Sequence, residues 1–259
     1  MAVDRQPLSR RRVLGLGVAS AATLAGCSTP PRAAPPATTQ PRPVEPTPTA
    51  TSSSTPAALV GPAVELVRGD GTRPQVALTF HGAGDLGITR RVLDILAQHR
   101  AKVTVLAVGT WLAASPDAAK MIVDGGHELG NHTWSHPALS HLAPSAVRAE
   151  IERCRDRLVQ LTGSPGGWFR QSQGQHATPD ELAEAGRAGY SRVLSYDVDS
   201  LDWQDPGPAT IRRATAAARA GSVVSMHLGH EGTVQALPGI LADLADRGLV
   251  PVTANDLLR

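Results

Sequence analysis

From about residue 63 to the C-terminus, apolar and polar positions follow two rhythms in turn. Short apolar runs at Val76–Phe80, Val103–Val108, Arg192–Tyr196, Val223–Met226 and Val250–Val252 have the length and β-branched content of strands. Between them apolar residues recur at helical spacing: Ile88, Val92, Ile95 and Leu96, then Val147, Ile151, Cys154, Leu158 and Leu161. Further helices are predicted around Ile211–Ala218 and through Leu244. Ser115-Pro116-Asp117 predicts a helix start with serine as cap and proline in the first turn, and Thr178-Pro179-Asp180-Glu181 spells a capping box. His127–His132 leads into a loop, and Gly167–Arg170 reads as a strand end. Repeated strand–helix units imply parallel strands with helices outside. The predicted fold is α/β, a small, incomplete (β/α) barrel, with an open doubly wound sheet as the alternative.

The first quarter is built differently. Ten of the 21 prolines fall between Pro30 and Pro62, and residues 28–62 have almost no large apolar side chain. Such a stretch buries too little surface to fold and predicts an extended tether. Before it, Ser9-Arg10-Arg11-Arg12-Val13-Leu14 opens a short apolar stretch that ends Leu24-Ala25-Gly26-Cys27. The paired arginines resemble a twin-arginine export signal, and Leu-Ala-Gly-Cys resembles a lipobox in which Cys27 is lipidated. The expected organisation is 1–27 signal with lipobox, 28–62 Pro/Thr/Ala-rich linker and 63–259 folded domain. The expected location is the outer face of the bacterial cytoplasmic membrane, through a lipid anchor.

Cysteine and charge narrow the reading. With Cys27 committed to lipid, Cys154 has no partner, and its place in an apolar stripe makes it a core residue rather than a nucleophile. The formal charge of +2 includes a surplus of three in residues 1–26, so the remainder carries a side-chain net of −1 and no nucleic-acid grip is expected. No apolar run reaches the roughly 18 residues of a membrane span. His81-Gly82-Ala83-Gly84-Asp85, after the first long strand, lacks both the dinucleotide glycine spacing and a phosphate-loop lysine.

The candidate chemistry lies at strand ends, where barrels gather their active sites. His132 and His136 stand four apart, and on a helical turn that spacing puts both imidazoles within reach of one divalent ion. His81 follows one strand, Arg170 closes another, Asp199-Ser200-Leu201-Asp202-Trp203 follows Tyr196, and His227 follows Val223–Met226. His127 reads as structural, Trp111 and Trp168 as core, while Trp134 and Trp203 lie inside the motifs.

On these residues, the domain resembles the NodB-homology polysaccharide deacetylases, carbohydrate esterase family four, over essentially all of 63–259. The resemblance implies a distorted (β/α) barrel with one divalent metal, usually zinc. It implies removal of N-acetyl, or else O-acetyl, groups from an acetylated polysaccharide. His132-Thr133-Trp134-Ser135-His136 matches the family's H-[ST]-x-x-H motif, which makes His132 and His136 metal ligands. Arg170 matches the arginine motif, although Gln171-Ser172-Gln173 replaces the Pro-Pro-Tyr that follows it. Asp199 to Trp203 matches D-x-x-D-W, implying that Asp199 holds the motif-five histidine and that Trp203 lines the acetyl pocket. His227 matches that histidine, the general acid. Gln173 is expected at the pocket, with a backbone N–H near it for the oxyanion.

Motif one departs. Where the family has Thr-Phe-Asp-Asp-Gly, supplying a base and a ligand, this chain has Thr79-Phe80-His81-Gly82-Ala83. Three readings stand open: His81 as base with Asp85 as third ligand, which is preferred; His81 itself as a ligand in a three-histidine site; or a dead site that only binds glycans. Arg170 is expected to face His81 and keep its imidazole neutral. A monomer is expected. The alternative function is a catalytically inactive glycan-binding lipoprotein on the same fold.

Overall fold

The apolar runs form parallel strands and the periodic segments form helices over residues 61–259, the part of the chain that the computed structural model describes. In order these are β1 (Val64–Leu66), β2 (Gln75–Gly82), α1 (Leu86–Gln98), β3 (Thr104–Ala107), α2 (Gly109–Ala114), α3 (Asp117–Asp124), β4 (Glu128–Asn131) and α4 (Pro144–Thr162). Then follow α5 (Pro179–Arg187), β5 (Arg192–Leu194), β6 (Val198–Asp199), α6 (Pro208–Thr215), β7 (Val223–His227), α7 (Glu231–Asp246), β8 (Val250–Val252) and α8 (Ala254–Leu257). The export signal, Cys27 and all but the last two linker residues fall outside the described residues.

Every strand pairing is parallel. One sheet runs β4-β3-β2-β7-β6 with β8 beside the start of β2, and β1 pairs β5. Phe169 joins the two by bridging Asn131 on one side and Val193 on the other. Among the described residues no ladder links β1 to β6, so the ring stays open: the incomplete barrel, not the doubly wound sheet. No helix among them is long and apolar enough to cross a membrane.

Strand β2 sets the layers. Val76–Phe80 are all fully buried, as a central parallel strand covered on both faces requires. Val76, Leu78 and Phe80 belong to the outer layer with Val92, Leu96, Leu237 and Leu241 of the flanking helices. Ala77 turns inward to Leu106, Trp168, Leu194 and Val223. Burial of each large side chain contributes about 1.5–3 kcal/mol, and the two-residue period then fixes the direction of the residues that follow. His81 continues the inward row and Gly82 the outward one.

The Thr178 capping box forms with both of its hydrogen bonds. Ser115 departs from expectation: Pro116 occupies the cap of α3 without a side-chain bond, and Ser115 contributes its carbonyl, which accepts from Ala118 N–H at 3.0 Å. Neither β1 nor α2 was predicted, since three and six residues are too short to show a period.

Candidate metal centre

Parallel register brings the strand ends together. His81 lies opposite His227 on β7 and Leu106 on β3, and Leu106 lies opposite Gly130, two residues before His132. The segment after β4 is an irregular loop, not the helical turn assumed from spacing: Thr133 and His136 both have left-handed backbone, with φ of 65° and 60°. Side-chain bonds hold that shape. Buried Asn131 donates from Nδ2 to Ile151 O at 2.8 Å, its Oδ1 accepts from Thr133 N–H at 2.9 Å, and Thr133 Oγ1 accepts from His136 N–H at 3.1 Å.

The result is a group of three imidazoles. His81, His132 and His136 each offer a ring nitrogen, and these atoms all lie within 4.8 Å of one another. Ring centroids are 4.2 Å apart for His81 and His132 and 4.8 Å apart for His132 and His136. His132 Nδ1–H donates to Arg170 O at 3.1 Å, which leaves Nε2 as a lone pair aimed into the group. That atom and both ring nitrogens of His81 are buried without a hydrogen-bond partner among the described residues. Burial first, then the neighbouring imidazoles, holds the pKa of His81 and His132 well below the ordinary histidine value, and burial lowers that of His136 too. All three are therefore neutral near pH 7, the form in which imidazole ligates. Three neutral donors, two of them with unpaired buried nitrogens, fit a zinc-like ion.

Asp85 is not part of this group. It is the N-cap of α1: exposed, with Oδ1 accepting from Ile88 N–H at 3.0 Å. The capping geometry pulls its carboxylate to the helix end, so Asp85, preferred in the sequence reading as third ligand, stands apart from the imidazole group, and the third side chain beside His132 and His136 is His81. Gly82 offers no way back to the family pattern. A Cβ built there would lie 2.9 Å from Val105 Cγ1 and 3.0 Å from both Ala107 Cα and Trp111 Cζ3, on the outward face.

The other half of the mouth is an aspartate–histidine pair. His227 Nδ1 lies 2.7 Å from Asp202 Oδ1, and Asp202 Oδ2 accepts from His227 N–H at 2.8 Å and Thr233 Oγ1 at 2.7 Å. Burial raises the Asp202 pKa, but these bonds outweigh it and hold the carboxyl below its usual range. The partner of His227 is thus Asp202 and not Asp199, because the 3₁₀ turn at Asp202–Gln204 folds the second aspartate under β7. The rings of His227 and His81 are 4.3 Å apart.

Both halves open into one cavity of about 550 Å³, lined among others by His81, His136, His227, Asp199, Gln173 and half-exposed Trp203. Tyr196 also lines it, which the sequence reading missed. Arg170 does not reach the cavity wall. It is fully buried beneath, donating from Nε to Leu194 O at 2.6 Å and from Nη2 to Thr79 Oγ1 at 2.9 Å; burial pulls its pKa down to about 9, so it stays charged at neutral pH. It braces β2 and β5, and, as expected, its charge helps hold the His81 pKa down. Cys154 is core, as expected, with burial pushing the thiol up to about 12. His127 is structural, its Nδ1 accepting from Val103 N–H at 3.4 Å. Trp111 and Trp168 are buried, and Trp134 lies outside the cavity under the Arg153 guanidinium, 3.9 Å from its ring centroid.

Known proteins share this fold. The polysaccharide deacetylase family profile matches residues 68–193. A chitooligosaccharide deacetylase of Rhizobium leguminosarum bv. phaseoli is 32% identical over 200 residues, covering 70% of this chain and 86% of the relative. Among solved structures, the Bc1960 peptidoglycan N-acetylglucosamine deacetylase in complex with an N-hydroxybenzamide superposes with a TM-score of 0.71 at 30% identity, covering 76% of this chain and 93% of that one. A carbohydrate esterase family four pseudoenzyme from Bacillus anthracis also superposes at 0.71, with 26% identity over 76% of this chain and 69% of that one. The chain belongs to the polysaccharide deacetylase family, hydrolases of carbon–nitrogen bonds other than peptide bonds.

Proposed function

We propose that this chain removes N-acetyl groups from an acetylated cell-wall polysaccharide, with one divalent ion, zinc, held by His81, His132 and His136. The observation that carries the reading is the meeting of the three imidazoles with the His227–Asp202 pair in one cavity. A bound ion supplies Lewis acidity at the acetyl carbonyl and lowers the pKa of water. The chain's residues do the rest. His227, oriented by Asp202, hands a proton to the departing amine, a step worth ~10²–10⁴-fold. Trp203 and Gln173 stand at the cavity rim, where the sugar enters. Gln173 donates from Nε2 to His136 O at 2.9 Å and so ties its own loop to the loop of the third ligand.

The export signal and a lipid on Cys27 hold the domain outside the cytoplasmic membrane, and the 28–62 tether lets it work as a monomer within the wall. Acetate release from N-acetylglucosamine oligomers, measured beside metal content, tests the reading. Stoichiometric zinc with release that vanishes in His227→Ala supports it; absence of metal overturns it.

One observation favours a second reading, a glycan-binding domain without turnover. Motif one has lost both carboxylates, and the packing of Val105, Ala107 and Trp111 against Gly82 closes the outward space a side chain there would fill. Stoichiometric metal and oligomer binding without acetate release would select it.

A further inference from the structure

We infer that Asp199 is the general base, standing in from β6 for the carboxylate that β2 has lost. The inference rests on the metal-site reading above, because it is the recruitment of His81 into the imidazole group that leaves the base position unfilled. Asp199 meets the need in four respects. It lines the same cavity as His81, His136 and His227. It closes β6 beside Ser225, two residues before His227 on β7, so the base and acid candidates sit on adjacent strand ends. It is not spent on His227, since Asp202 does that work. Among the described residues it forms no ion pair, and its hydrogen bond is the one Oδ1 accepts from Leu201 N–H at 2.8 Å. Leu201 is left-handed, φ 61°, so this bond pins the carboxylate from its own loop and leaves Oδ2 without a protein donor.

The step balances with named groups. Asp199 takes a proton from the attacking water as the water oxygen bonds the acetyl carbon, and the carbonyl electron pair moves to its oxygen. When that pair returns, the carbon–nitrogen bond breaks and protonated His227 gives its proton to the nitrogen, releasing amine and acetic acid. The proton on Asp199 then returns to His227 through solvent, and acetic acid ionises. No oxidant, reductant or further reactant is needed.

Asp199→Asn is the informative variant, because an amide oxygen still accepts from Leu201 and the loop keeps its pin. In the zinc-loaded full chain, kcat on N-acetylglucosamine oligomers is expected to fall ~10²–10⁴-fold with KM and zinc content unchanged. Formate is expected to restore part of the loss in Asp199→Ala. A second readout needs no turnover. An N-hydroxybenzamide binds a metal as its anion, so its proton goes either to the base or to solvent. Calorimetry in buffers of different ionisation enthalpy should show about zero protons released by the wild type and about one by Asp199→Asn. Equal proton counts overturn the assignment, as does a raised KM with unchanged kcat, which would make Asp199 a sugar contact. Failure to bind zinc at all overturns the metal site itself and the base assignment with it.

Discussion

The two sides of the barrel mouth have been treated differently. On the β2–β4 side, carboxylates have given way to imidazole and glycine, and the space outside Gly82 is occupied by Val105 and Trp111. On the β6–β7 side, two aspartates and a histidine keep the family's residue types, with Asp202 buried under three bonds. On the proposed reading, the difference teaches that holding an ion and moving protons are separable tasks: neutral imidazoles would do the first, and charged groups on the other strands the second.

The comparison breaks most visibly on the proton-moving side. His227→Ala is expected to lower the acetate-release rate by ~10²–10⁴-fold while zinc content stays stoichiometric. Loss of metal in that variant would show the two sides to be one unit. Conversely, His132→Ala should weaken zinc binding by at least ~100-fold, read by competition with a chelator, without changing the His227–Asp202 bond seen in imidazole nitrogen NMR.

A smaller effect sharpens the contrast at Gly82. Gly82→Asp does not restore a family ligand but presses on Val105, Ala107 and Trp111, and should cost about 1–3 kcal/mol in urea unfolding. A more stable variant with higher zinc affinity would mean that the outward face yields.

An effect of similar size concerns His127, whose pKa burial lowers to about 4. The unfolded chain protonates this ring near pH 6.5 and the folded chain does not, so stability is complete above that pH and is lost as pH falls toward 4. The loss is roughly 1–3 kcal/mol. Unfolding followed from pH 7 to pH 4 should be flatter in His127→Gln.

Much of this was legible in the sequence, for physical reasons. The run Val76–Phe80 fixed a two-sided strand, and its two-residue period turned His81 inward. The stripe through Cys154 placed α4, and Thr178 to Glu181 placed the start of α5. What failed was local geometry. Four-residue spacing suggested a helical turn between His132 and His136, whereas left-handed residues and Asn131 build a loop that achieves the same approach. Asp85 was preferred as third ligand, yet a helix start three residues before Ile88 claims its oxygen. Asp199 and Asp202 are indistinguishable in D-x-x-D-W until the intervening turn decides which one goes under β7.

The central claim is that the third ligand is His81. Zinc titration of His81→Ala beside Asp85→Ala tests it most directly. The account expects His81→Ala to lose zinc affinity and Asp85→Ala to bind zinc as the wild type does, losing only about 1 kcal/mol of stability with its helix cap. Full affinity in His81→Ala together with loss in Asp85→Ala would contradict it.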